Sequence, residues 1–159
     1  MKLFNKSILA VSVVVSLVIA TTSMAQPASS DKHAAKATEL RQSVFKLLGS
    51  NMGLLGAMAK GKVPIDAKIV EKNATRINQL SLMIGDYSRT DTSKFNVETQ
   101  ALNKIWQEPE HYSKEIDKLT IASAALIIAA QSKDEGAIKK AIGGVGKTCG
   151  GCHDDFKKE

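Results

Sequence analysis

The chain has 159 residues, a formal net charge of +6 at neutral pH, 43% hydrophobic residues and two cysteines. That is one domain's worth of sequence. Its basic residues are interleaved with acids and form no long run, so nucleic-acid binding is not expected and a weak preference for an acidic redox partner is the most the charge implies.

Residues 1–25 stand apart. Lys2 and Lys6 precede an apolar run, Ile8 to Ala20, that is shorter than the roughly 20 residues a bilayer-spanning helix needs. Ser23-Met24-Ala25 is a small-x-small cleavage site. This is the pattern of a secretory signal peptide. It predicts an exported mature chain over 26–159, in one domain and without a membrane span. The presequence carries two lysines and no acid, so its removal lowers the net charge by two.

A polar lead-in follows, and then four amphipathic segments; none shows the alternation of a strand. Over Ala34 to Ala59, the residues Leu40, Val44, Leu47, Leu48, Met52, Leu55 and Met58 recur at steps of three and four, the mark of one apolar helix face. Gly61 is a stop signal. Pro64 suits the opening of a second helix, whose inner face carries Ile69, Ile77, Leu80 and Ile84. Gly85 to Asn96 reads as the longest loop. Val97 to Glu108 reads as irregular or briefly helical. Pro109 starts a third helix, with Tyr112, Ile116, Leu119, Leu126 and Ala130 inward. Ser132 and Glu135 fit a capping box for a fourth. The expected fold is all-α, an antiparallel four-helix bundle.

The fourth helix carries the chemistry. Ile138, Ile142, Val145, Cys149, Cys152 and Phe156 are spaced 4, 3, 4, 3, 4, so both cysteines continue the apolar stripe, and His153 sits at its edge. The run Cys149-Gly150-Gly151-Cys152-His153 is C-x-x-C-H, which reads as a c-type haem attachment. Two thiols on one helix face reach the two vinyl groups of a porphyrin, and the adjacent imidazole meets the iron. Three other readings compete. A disulfide suits an exported chain. A redox dithiol needs a βαβ setting, which is missing. Zinc needs two further ligands, and only His33 and His111 are spare. Five glycines, Gly143, Gly144, Gly146, Gly150 and Gly151, crowd this helix, each unfavourable by about 0.8–1.0 kcal/mol relative to alanine. Either a flat ring packed against the backbone offsets that, or the helix breaks there.

Taken together, these features resemble the cytochromes c′, periplasmic monohaem proteins. The likeness covers nearly the whole chain after the presequence. It includes LRQSVFKLLGSNMG from Leu40, KVPIDA from Lys62, the pair Ile105-Trp106 and VGKTCGGCHDDF from Val145. The resemblance implies one haem c per chain on Cys149 and Cys152, with His153 as a partly exposed proximal ligand. It implies a vacant sixth position and high-spin iron. It implies that Arg41 and Gln42 approach the propionates, that Trp106 packs beside the ring, and that a residue of the first helix covers the distal face. It also implies a homodimer through the first two helices, nitric oxide binding that can displace the proximal histidine, and possible electron transfer. Two positions depart from the family's commoner residues: Phe45 stands where the distal residue is often leucine, and Lys157 where many members have arginine. Lysine lacks the planar fork of arginine.

Each of these residues has a plainer alternative. Phe45 and Trp106 also fit ordinary core packing, and Arg41 a solvated charge. Met52, Met58 and Met83 compete for the sixth position, though helical methionines mostly fill core gaps. Met52 and Met58 lie two turns or more beyond Phe45, which places them away from the iron. His33 and His111 fall near helix starts and are expected to be exposed. No acid or base neighbours Phe45, so enzymatic activity is not expected. The functional alternative is a six-coordinate, low-spin electron carrier.

Overall fold

The computed structural model of the protein describes residues 25–159, so the expected presequence lies outside the described residues, apart from Ala25. In chain order the elements are β1 (Gln26–Pro27), α1 (Asp31–Ala59), α2 (Ala67–Ser88), β2 (Thr90–Asp91), α3 (Lys104–Gln107), α4 (Pro109–Ser132) and α5 (Glu135–Phe156). The four long helices form the expected bundle. α2 packs on α1 and α4, and α5 packs on α4 and α1, which closes the ring around one core. None of the described helices is long and apolar enough to cross a membrane.

Local chemistry sets most boundaries. Ser30 caps α1 by accepting from His33 N at 3.2 Å. Gly61 follows α1 at φ +69, a left-handed turn that suits glycine, and its N–H reaches Met58 O at 3.0 Å. Pro109 occupies the first turn of α4, as expected. Two expected starts are displaced. α2 opens after Asp66, not at Pro64, because the Asp66 carboxylate accepts from Ile69 N at 3.0 Å. α5 opens after Asp134, which accepts from Ala137 N at 2.6 Å. Ser132 still belongs to α4, so the expected Ser132–Glu135 box does not form; its hydroxyl donates back to Ala129 O at 2.7 Å.

The expected Gly85–Asn96 loop begins later than expected, because α2 runs on to Ser88. Burial of Ile84 and Ser88 holds that last turn, and the Ser88 hydroxyl pairs with Tyr112 OH at 3.2 Å. The polar lead-in is also ordered. β1 lies parallel to β2, with Gln26 N donating to Arg89 O and Ala28 N to Asp91 O, both at 2.8 Å. Two residues per strand are too few to leave a sequence signal.

The core is drawn from all four long helices, with Leu55 of α1, Ile77 of α2, Leu126 of α4, and Ile138 and Ile142 of α5 fully buried. Each contributes about 1.5–3 kcal/mol. α1 is rotated from its expected face. Ala34, Thr38, Arg41, Val44, Asn51, Leu55 and Met58 point inward, and Leu40 and Leu47 lie outside at 38% and 53% exposure. α5 runs unbroken through all five glycines.

Candidate functional site

On the lower half of α5 the apolar stripe stops being covered. Ile138, Ile142 and Val145 are buried, but Cys149 and Cys152 are only half-buried and face a cleft of about 650 Å³. That volume lies within the usual range of ligand pockets, roughly 300–1,000 Å³. α5 supplies Val145, Thr148, both cysteines and His153 to the wall. α1 supplies Phe45, Leu48, Met52 and the small residues Gly49, Gly53 and Gly56. Ile77, Ile84, Tyr112, Ile116 and Leu119 close the inner side.

The glycines of α1 explain why the cleft exists. A Cβ placed on Gly49, Gly53 or Gly56 would meet nothing within 4 Å. The chain holds that space open where larger residues would fill it.

The two thiols are free. Burial pushes both upward, and for Cys152 the nearby negative charge of Glu115 adds to burial and brings it to about 11. Both are therefore neutral thiols at neutral pH. A redox dithiol needs a readily formed thiolate, so that reading loses support. His153 is exposed at the rim of the cleft, one turn beyond Cys149.

The residues expected around the site fall into three groups. Phe45 lines the cleft at 38% exposure, and so could cover what enters it. Arg41 and Trp106 come together deeper in the bundle. The Arg41 guanidinium lies 5.1 Å from the Trp106 ring centre, and the indole N–H donates to Ser88 O at 2.9 Å. Arg41 is buried; its Nη2 donates to Thr92 Oγ1 at 3.5 Å and its Nη1 has no partner. Burial lowers its pKa, and the neighbouring Tyr112 and Asp91 oppose that shift. Tyr112 lines the cleft, so Arg41 stands one residue behind its wall. Gln42 does not line the cleft and instead donates to Glu98 O at 2.9 Å, tying α1 to the α2–α3 link.

Met52 departs from expectation, because it lines the cleft. Helical side chains lean toward the N-terminus, so Met52 covers the turn before its own Cα. Its methyl lies 3.8 Å from where a Cβ on Gly146 would stand. Met58 is buried in the core, and Met83 is on the surface. Lys157 forms a backbone bridge with Ala101, and its side chain is exposed.

Sequence reasoning placed Tyr112 inward but missed its role at the cleft, and it missed Glu115 altogether. Glu115 is buried on the α4 wall of the cleft, and a charged residue three after Tyr112 on an inward register was the available signal.

A tetrapyrrole fits this set of groups. Two thiols on one helix face, an imidazole beside them, open space before three glycines and a buried guanidinium with one unpaired nitrogen together suit a flat, apolar, dianionic ring system.

The comparisons with known proteins agree. The family profile described as cytochrome c′ matches residues 36–157. The cytochrome c′ of Rubrivivax gelatinosus is 35% identical over 123 residues, covering 77% of this chain and 95% of that protein. A solved structure of cytochrome c prime from Shewanella frigidimarina superposes with a TM-score of 0.73 at 37% identity, over 79% of this chain and 97% of that one. The nitric oxide complex of a leucine-to-isoleucine mutant of cytochrome c prime from Alcaligenes xylosoxidans superposes with a TM-score of 0.69 at 25% identity, over 82% and 98% of the two chains. The open, thiol-lined cleft is thus set in a shared bundle, and the chain belongs to the cytochrome c′ family, whose members carry covalently bound haem c.

Proposed function

We propose that this chain is an exported, periplasmic gas-binding haem protein whose iron is five-coordinate and high-spin. Cys149 and Cys152 hold the haem through thioether links, and His153 supplies the single axial ligand. The observation that carries this reading is the C-x-x-C-H run opening onto a cleft of about 650 Å³ whose α1 wall is apolar. When bound, the haem supplies an iron that accepts a diatomic ligand and exchanges one electron.

The chain's own residues do the rest. Phe45 and Leu48 have no donor atom, so neither ligates iron nor hydrogen-bonds a bound gas. They obstruct weak ligands and leave strong ones, such as nitric oxide, able to enter. The solved nitric oxide complex of the Alcaligenes relative supports that choice. Arg41 Nη1 is the natural partner for a propionate. Trp106 orients Arg41 by lying against its guanidinium. The acidic groups of the cleft, Glu115 and Tyr112, stand on the α4 wall and not on the α1 wall that carries Phe45, so the reading is a binding or carrier protein and not an enzyme. Leu40, Leu47 and Leu54 stand exposed at every seventh position of α1, an apolar row suited to a homodimer.

One observation favours a second reading. Met52 lines the cleft, and a methionine sulfur on iron would make it low-spin, as in electron carriers. Visible spectra of the ferric and ferrous protein, with and without nitric oxide, separate the two. High-spin spectra that change on adding nitric oxide are expected. Low-spin spectra that become high-spin in Met52→Leu would replace the first reading with the second.

A further inference from the structure

Beside the cleft, three potential ligands from two helices converge on one point. His111 and Glu115 are one turn apart on α4, and Asp155 reaches them from α5. His111 Nε2 lies 3.6 Å from Glu115 Oε1 and 3.2 Å from Asp155 Oδ2, and the three residues each offer one ligand atom within 4.8 Å of the others. A tetrahedral zinc ion with bonds of about 2.0–2.2 Å holds its ligand atoms roughly 3.3–3.6 Å apart. Two of the three separations are already near that length.

Two further observations point to a cation. The first is on the far side of the imidazole, where His111 Nδ1 meets Glu108 Oε2 at 3.2 Å. With the proton on Nδ1, donated to Glu108 Oε2, the Nε2 lone pair faces the other two carboxylates, the arrangement that supports metal-bound histidines. Nε2, Asp155 Oδ2 and Glu115 Oε1 are then three acceptors on one point, of which Lys118 reaches only the last. The second is Glu115 itself, whose side chain is only 6% exposed. A carboxylate that deep requires a positive partner. Its present partner is Lys118, whose own side chain is 60% exposed and can turn to water. Lys104 pairs with Glu108 at 3.6 Å. Lys118 and Lys104 thus pair with Glu115 and Glu108, whereas Asp155 meets only the imidazole.

We propose that His111, Glu115 and Asp155 bind one zinc ion, with Glu108 positioning the imidazole and a fourth coordination position open to water. One imidazole nitrogen with two carboxylate oxygens suits zinc, whereas calcium and magnesium take oxygen-rich sites. Every ligand is a protein group, so the proposal does not depend on the haem reading.

The test uses haem-loaded protein treated with a chelator, then titrated with zinc chloride near neutral pH by calorimetry. Retained zinc is counted by atomic emission after equilibrium dialysis. One zinc per chain is expected, with a Kd below about 100 μM. Glu108→Gln weakens binding roughly tenfold or more. His111→Ala and Asp155→Asn weaken it further, and Lys118→Ala strengthens it severalfold by freeing Glu115. His33→Ala leaves it unchanged. The haem absorption band and circular dichroism check that each variant is folded. The proposal is overturned if the wild type retains no zinc. It is also overturned if His111→Ala and Asp155→Asn bind zinc as tightly as the wild type, or if Lys118→Ala binds it less tightly.

Discussion

Phe45 offers only carbon to a ligand entering the cleft that it lines. Replacing it with alanine opens that space without adding a polar group. The expected result in Phe45→Ala is carbon monoxide affinity higher by about tenfold, or about 1.4 kcal/mol, in ferrous haem-loaded protein. An unchanged affinity would remove Phe45 from the gating role. Arg41 is a different case, a buried cation with one unpaired nitrogen and an indole against its face. In its proposed place at a haem propionate, loss of the Arg41 positive charge favours the ferric state, so Arg41→Gln is expected to lower the reduction potential by tens of millivolts, where about 59 mV is a tenfold change. A fall in thermal stability with the potential unmoved would mean that Arg41 only packs. At this scale the legible residues were Cys149, Cys152 and His153, because their meaning lies in spacing within five residues. The orphaned Arg41 Nη1 and the buried Glu115 were not legible, because each depends on what a distant helix brings beside it.

At the scale of elements, helix ends follow side-chain acceptors more closely than proline or apolar periodicity. Asp134 accepts from Ala137 N, whereas Ser132 bonds within the preceding helix. Asp134→Ala is expected to cost about 1 kcal/mol in denaturant unfolding and Ser132→Ala clearly less; the reverse order would restore the Ser132–Glu135 box. α5 holds five glycines in helical conformation without breaking, anchored by buried Ile138, Ile142 and Val145. Gly143 is exposed, and an added Cβ there would meet nothing within 4 Å. Gly143→Ala should therefore stabilise the protein by about 0.8–1.0 kcal/mol. A loss of stability in the same unfolding experiment would show that this glycine is required by something packed against it. Stripe positions on α2, α4 and α5 were legible from periodicity. The face of α1 was not, because seven apolar residues cover more than one face and the sequence does not say which side has a partner.

For the whole molecule, a polar seam accompanies the apolar core. Asn78 donates to Thr120 O at 2.9 Å and to Ser123 Oγ at 3.1 Å, and Ser81 pairs with Thr120 Oγ1 at 2.8 Å. These bonds fix α2 against α4 in one register, because sliding either helix would leave buried polar groups unpaired. Outside, the row Leu40, Leu47 and Leu54 is the basis of the proposed dimer. Leu47→Asp places a charge in that contact and is expected to weaken association by about 3 kcal/mol, on the order of a hundredfold. Analytical ultracentrifugation reads this directly; a wild-type chain that sediments as a monomer would remove the dimer.

The sequence by itself determined the helical class, the number of long helices and the thiol–imidazole run, because each is written in local spacing of three, four or five residues. Only the tertiary structure decided that α1 turns Arg41 inward and Leu47 outward. It also decided that Met52 lines the cleft and that His111 meets Glu115 and Asp155. Those outcomes depend on how helices far apart in the chain rotate to bury one another's faces, and that rotation is set by the summed packing of the bundle, not by any single segment.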